Sequence, residues 1–71
     1  MRRYVLVVPN ISCEHCVKRI SNLLTKLGIE NFEVQLSEKR IKIEAEQEIL
    51  EKAVNELEEL GYKVVEMNVE G

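Results

Sequence analysis

The chain has 71 residues, with ten Lys or Arg against thirteen Glu, no Asp, and a formal net charge of −3. That length holds one small domain, expected to span residues 1–71, and excludes a second, because domains run from about 50 to 250 residues. The acidic balance argues against nucleic acid as a partner, and no apolar run approaches the ~20 residues that cross a membrane as a helix.

A chain this short buries only about 60 % of its unfolded surface, which places function on the rim rather than in a deep pocket. At the amino end, Met1-Arg2-Arg3 is followed by five apolar residues, Tyr4 to Val8, and then by Pro9, with no small-residue cleavage site. This does not read as an export signal, and the chain is read as cytoplasmic. In that reducing compartment a pair of cysteines points to metal binding or redox work rather than to a structural disulfide.

The run Tyr4 to Val8, closed by Pro9-Asn10, predicts a central strand covered on both faces. Val17, Ile20, Leu24 and Leu27 recur at three and four residues, the period of an amphipathic helix, and Gly28 stands where a helix ends. Phe32, Val34 and Leu36 alternate, Ser37-Glu38-Lys39 supplies a polar turn, and Ile41, Ile43 and Ala45 alternate again, predicting a hairpin. A second helical stripe runs Leu50, Ala53, Val54, Leu57, Leu60 to Gly61, and a last strand is predicted through Tyr62, Val64, Val65 and Met67. The order β-α-β-β-α-β, with right-handed crossovers, predicts an α+β, ferredoxin-like sandwich: a four-stranded antiparallel sheet with two helices on one face.

An internal repeat supports this order. Leu24-Thr25-Lys26-Leu27-Gly28-Ile29 superimposes on Leu57-Glu58-Glu59-Leu60-Gly61-Tyr62 at an offset of 33 residues, and the same offset maps Val17 onto Leu50 and Ile20 onto Ala53. The halves differ in one place. From the last strand residue to the first stripe residue is nine positions in the first half (Val8 to Val17) and five in the second (Ala45 to Leu50). The extra residues fall in the loop from Pro9 to Cys16, which contains both cysteines and the only histidine.

Cys13-Glu14-His15-Cys16 sets two thiols three residues apart at a loop-to-helix junction. By itself the pattern serves zinc sites, thiol redox enzymes and soft-metal carriers. Cys16 falls in the first helical turn, where free backbone N–H groups and the helix dipole favour the thiolate, and Lys18 and Arg19 add positive charge. Thiolates select soft ions such as Cu(I), and two of them suit an ion content with low coordination. Zinc wants four ligands, and His15 points away from its neighbour Cys16, so one chain is a poor zinc cage. Two chains sharing an ion through four cysteines, a metal-bridged homodimer, stays open.

Asn10-Ile11-Ser12-Cys13-Glu14-His15-Cys16 resembles the metal loop of the heavy-metal-associated domain, usually Gly-Met-Thr/Ser-Cys-x-x-Cys. That family comprises small copper chaperones and the amino-terminal domains of metal-transporting P-type ATPases. The resemblance covers nearly the whole chain and is closest to bacterial copper chaperones. It implies that Cys13 and Cys16 ligate the metal, that Tyr62 faces the site from the opposite loop, and that His15 stands beside it. Asn10 replaces the usual Gly, as a residue that tolerates left-handed backbone. Ile11 replaces the usual Met, an apolar residue that packs beneath the loop.

The function expected is a metallochaperone, not an enzyme, that carries Cu(I) to a metal-transporting P-type ATPase or its soluble metal-binding domain by thiolate exchange. Lys18, Arg19 and Lys26 on the first helix offer a basic docking patch. Alternatives on the same two cysteines are binding or detoxification of mercury, cadmium or zinc, and thiol-disulfide exchange.

Overall fold

The computed structural model describes residues 2–70. Its elements run β1 (Arg2–Val7), α1 (Glu14–Lys26), β2 (Asn31–Gln35), β3 (Arg40–Ala45), α2 (Gln47–Glu59) and β4 (Glu66–Glu70). The strands form one antiparallel sheet in the order β2-β3-β1-β4. Both helices lie on one face of it, which is the ferredoxin-like arrangement.

Side-chain alternation divides the sheet into a dry and a wet face. On the dry face Tyr4 and Leu6 stand opposite Ile43 and Ile41, which stand opposite Phe32 and Val34. Ile20, Leu23 and Leu24 of α1 and Leu50, Ala53 and Leu57 of α2 close over them as one core. On the wet face charges alternate across the strands: Glu70, Arg3 and Glu44 share one row, with Arg3 Nε 3.3 Å from Glu44 Oε2. β1 is central, as its sequence predicts, but only one of its faces is covered. Val5 and Val7 are half-buried on the wet side, opposite Lys42 and Arg40.

The two helices are 13 residues each and lie at the same offset of 33 that relates the sequence repeat, Glu14 to Gln47 and Lys26 to Glu59. They also end alike. After Leu27, Gly28 takes φ +85° and Ile29 N–H reaches back to Leu24 O at 3.0 Å; after Leu60, Gly61 takes φ +93° and Tyr62 N–H reaches Leu57 O at 2.8 Å. This is the Schellman closure, in which a left-handed residue turns the chain and the next apolar residue packs back on the helix. Ile29 and Tyr62 are accordingly both buried.

That closure explains why β4 begins later than the alternation from Tyr62 suggests. Tyr62 is committed to the helix end and the core, so regular pairing with β1 starts only at Glu66, after Val65 N–H has bonded Val7 O at 3.0 Å. The hairpin turn is also one residue longer than Ser37-Glu38-Lys39. Gln35 pairs with Arg40, leaving Leu36 to Lys39 as the loop, and Lys39 takes a left-handed φ of 57°. Among the described residues, no helix is long and apolar enough to cross a membrane.

Candidate metal centre

The loop between β1 and α1 opens with a turn. Ile11 N–H bonds Val8 O at 3.2 Å, with Pro9 and Asn10 at the corner, where proline's fixed φ is already suited. Ile11 then drops into the core with no exposed surface and anchors the loop from below. Beyond it the chain runs out to Cys13, the N-cap of α1, in extended backbone at φ −154° and ψ 170°.

Cys13 caps the helix with its carbonyl, not its side chain: its oxygen accepts from Cys16 N–H at 3.1 Å and Val17 N–H at 3.4 Å, and no side-chain cap bond forms. Its thiol is thereby left free to face Cys16, the third residue of the helix. The two sulfurs lie 3.6 Å apart, close enough to share a proton. Cys13 is exposed and Cys16 half-buried.

The surroundings of Cys16 favour its thiolate. Its pKa falls from 9.0 to about 6, chiefly because the Ser12 backbone N–H donates toward it, then because the Tyr62 hydroxyl does, against a smaller penalty from desolvation; Cys13 adds to the lowering. The proton of Tyr62 is held more tightly in turn, because its hydroxyl serves the Cys16 sulfur. The Arg19 guanidinium lies against the Tyr62 oxygen and partly opposes that rise. Arg19, read from sequence as a docking residue, therefore also belongs to the edge of the site. Lys18 and Lys26 are exposed on α1, and so is His15. Among the described residues, no third His, Cys, Asp or Glu side chain joins the two thiols in a metal-ligating group.

Asn10 behaves differently from the reading of its sequence. Lys39 is the one non-glycine residue with positive φ among those described, so Asn10 is not left-handed. Its side chain instead donates from Nδ2 to Gly61 O at 2.8 Å, tying the thiol loop to the loop that carries Tyr62. The bond spans 51 residues of sequence, and no local pattern announces it.

Two thiols at this distance, one of them ionised near neutral pH, can hold a soft cation or close into a disulfide. Residues 5–63 match the heavy-metal-associated domain. The chain belongs to that family. This heavy-metal-associated domain is 33 % identical over 67 residues to the copper chaperone CopZ of Staphylococcus epidermidis, a match covering 90 % of the chain and 98 % of the relative. Its fold superposes on the heavy metal binding protein TM0320 of Thermotoga maritima with a TM-score of 0.85 and 45 % identity, over 93 % of this chain and 96 % of the other. The fold is also that of the amino-terminal domain of ZntA in its Zn(II) form, with a TM-score of 0.78, 21 % identity, and coverage of 97 % and 92 %. Oxidized MerP of Ralstonia metallidurans CH34 shares it as well, at a TM-score of 0.76 and 15 % identity over 99 % and 97 % of the two chains. Family and relatives place this domain among heavy-metal-binding proteins.

Proposed function

We propose that this domain binds one Cu(I) ion between Cys13 and Cys16 and delivers it in the cytoplasm to a metal-transporting P-type ATPase or its soluble metal-binding domain. The observation that supports it most is the donor set: two sulfurs gathered at 3.6 Å, with no third ligating side chain grouped with them among the described residues. Zn(II) in one chain would lack two of its usual four ligands, whereas thiolates suit Cu(I).

The gap between the two sulfurs is where the ion would lie. A linearly bound ion needs its two sulfurs further apart than 3.6 Å, so the pair must open on loading. Cys13 supplies that movement, since it is exposed and its thiol is not engaged in capping. An open coordination sphere then lets an incoming thiolate of the partner attack the ion while Cys13 leaves. Cys16, held by Ser12 and Tyr62, is the ligand that stays longer.

Lys18 and Lys26 line the helix that leads away from the thiols and give an acidic partner surface something to meet. The test is the rate of Cu(I) transfer from loaded protein to an acidic soluble ATPase metal-binding domain, followed against salt concentration. Changing Lys18 and Lys26 to Ala slows transfer by about tenfold at low salt and little at high salt. Rates that do not depend on salt or on these lysines would contradict docking through α1. Arg19 is left out of this variant because it also touches Tyr62.

A further inference from the structure

The peptide unit joining Gly61 to Tyr62 is held at both ends. Its N–H, on Tyr62, bonds Leu57 O at 2.8 Å, and its C=O, on Gly61, accepts from Asn10 Nδ2 at 2.8 Å. The first bond belongs to the closure of α2 and has its counterpart at Ile29 in the other half of the fold. The second comes from the opposite loop, three residues before Cys13. Gly61 takes φ +93°, with nothing within 4 Å of where a Cβ would stand, so no side chain restricts the backbone here. The α2 closure holds this peptide by its N–H, and Asn10 adds a second hold on its carbonyl from the opposite loop.

Swinging that plane would move the Tyr62 Cα, and with it a ring that is 7 % exposed and turns its hydroxyl to Cys16. We propose that Asn10 is a positioning residue for metal exchange: its bond to Gly61 O clamps the Gly61–Tyr62 peptide, keeps the Tyr62 hydroxyl on the Cys16 sulfur, and so slows release of the bound ion. Asn10 touches neither the ion nor the sulfurs. It acts through Tyr62, and the proposal rests on the carrier reading of the two cysteines. A residue at this position without a side-chain donor removes this link between the two loops and leaves the ion quicker to depart.

The experiment compares wild type, Asn10→Asp, Asn10→Ala, Tyr62→Phe and the Asn10→Ala/Tyr62→Phe pair. Asn10→Asp keeps the shape and removes the donor at an exposed position, and a thermal melt checks that each variant is folded. The full-length protein is loaded with Cu(I), and separately with Cd(II), and the rate of ion transfer to a chelator is measured. Both Asn10 variants are expected to release the ion about fivefold faster, the effect of one hydrogen bond. The double variant is expected to be no faster than Tyr62→Phe alone, which a merely structural role for Asn10 would not produce. Wild-type rates in the Asn10 variants, or effects that multiply in the pair, would overturn the proposal. In metal-free protein, exchange of the Tyr62 amide hydrogen judges the clamp separately: about fivefold faster in Asn10→Asp supports it, and unchanged exchange overturns it. A wild-type chain that binds neither ion overturns the carrier reading itself, and that result appears before any variant is compared.

Discussion

The Ser12 backbone, the Tyr62 hydroxyl and the Cys13 thiol converge on the Cys16 sulfur and lower its pKa from 9.0 to about 6. Metal-free protein should therefore react with iodoacetamide at Cys16 with a half-maximal rate near pH 6, and Tyr62→Phe should move that midpoint upward. A midpoint near 9 in wild type would show that these donors do not act on the sulfur. The same shift links stability to pH. The native state binds this proton less tightly than the unfolded chain does, so the thiolate's contribution is complete above pH 9 and is lost as pH falls through 6. Denaturant midpoints of metal-free protein should rise between pH 6 and 9, and Cys16→Ser should flatten that slope. At this scale the sequence was only partly legible. The spacing of Cys13 and Cys16 and the helix start point to a thiolate pair, whereas the reach of Arg19 to Tyr62 and of Asn10 to Gly61 depends on how distant loops meet.

The helices show how a short repeat carries structural information. Leu-x-x-Leu-Gly at residues 24–28 and 57–61 ends each helix with the same closure, and an offset of 33 relates both ends of both helices. Gly28→Ala and Gly61→Ala should each cost about 1–2 kcal/mol, since a side chain is strained at positive φ even where space is open. Thermal melts of the two variants should agree within error. Only Gly61→Ala should also alter metal exchange, because Gly61 carries the carbonyl that Asn10 holds. Equal exchange rates in the two variants would argue against any role for that loop. The late start of β4 and the open face of β1 were not legible for a shared reason. β-branched alternation fits a half-covered strand as well as a fully covered one, and it fits a buried segment after a helix equally. Nothing in Val5, Val7 or Tyr62 by itself separates these cases.

Charge is unevenly spread along the chain. Residues 1–40 hold seven Lys or Arg against four Glu, and residues 41–71 hold three Lys against nine Glu. The fold places Lys18 one turn along α1 from the thiols and Lys26 at the far end of the same helix. The β-α-β-β-α-β order was readable because each element has its own period and each helix its own stop. The insertion that breaks the repeat was readable as well: six residues separate β1 from α1, against one between β3 and α2. That extra loop brings Cys13 to the rim beside Cys16, and the central claim is that the pair holds one Cu(I). Competition of the purified protein for Cu(I), Zn(II) and Cd(II) against chelators of known affinity, with Cys13→Ser and Cys16→Ser as controls, tests it most directly. The expected result is one Cu(I) per chain, bound far more tightly than Zn(II) and lost in either serine variant; tight Zn(II) with weak Cu(I), or Cu(I) binding that survives both substitutions, would contradict it.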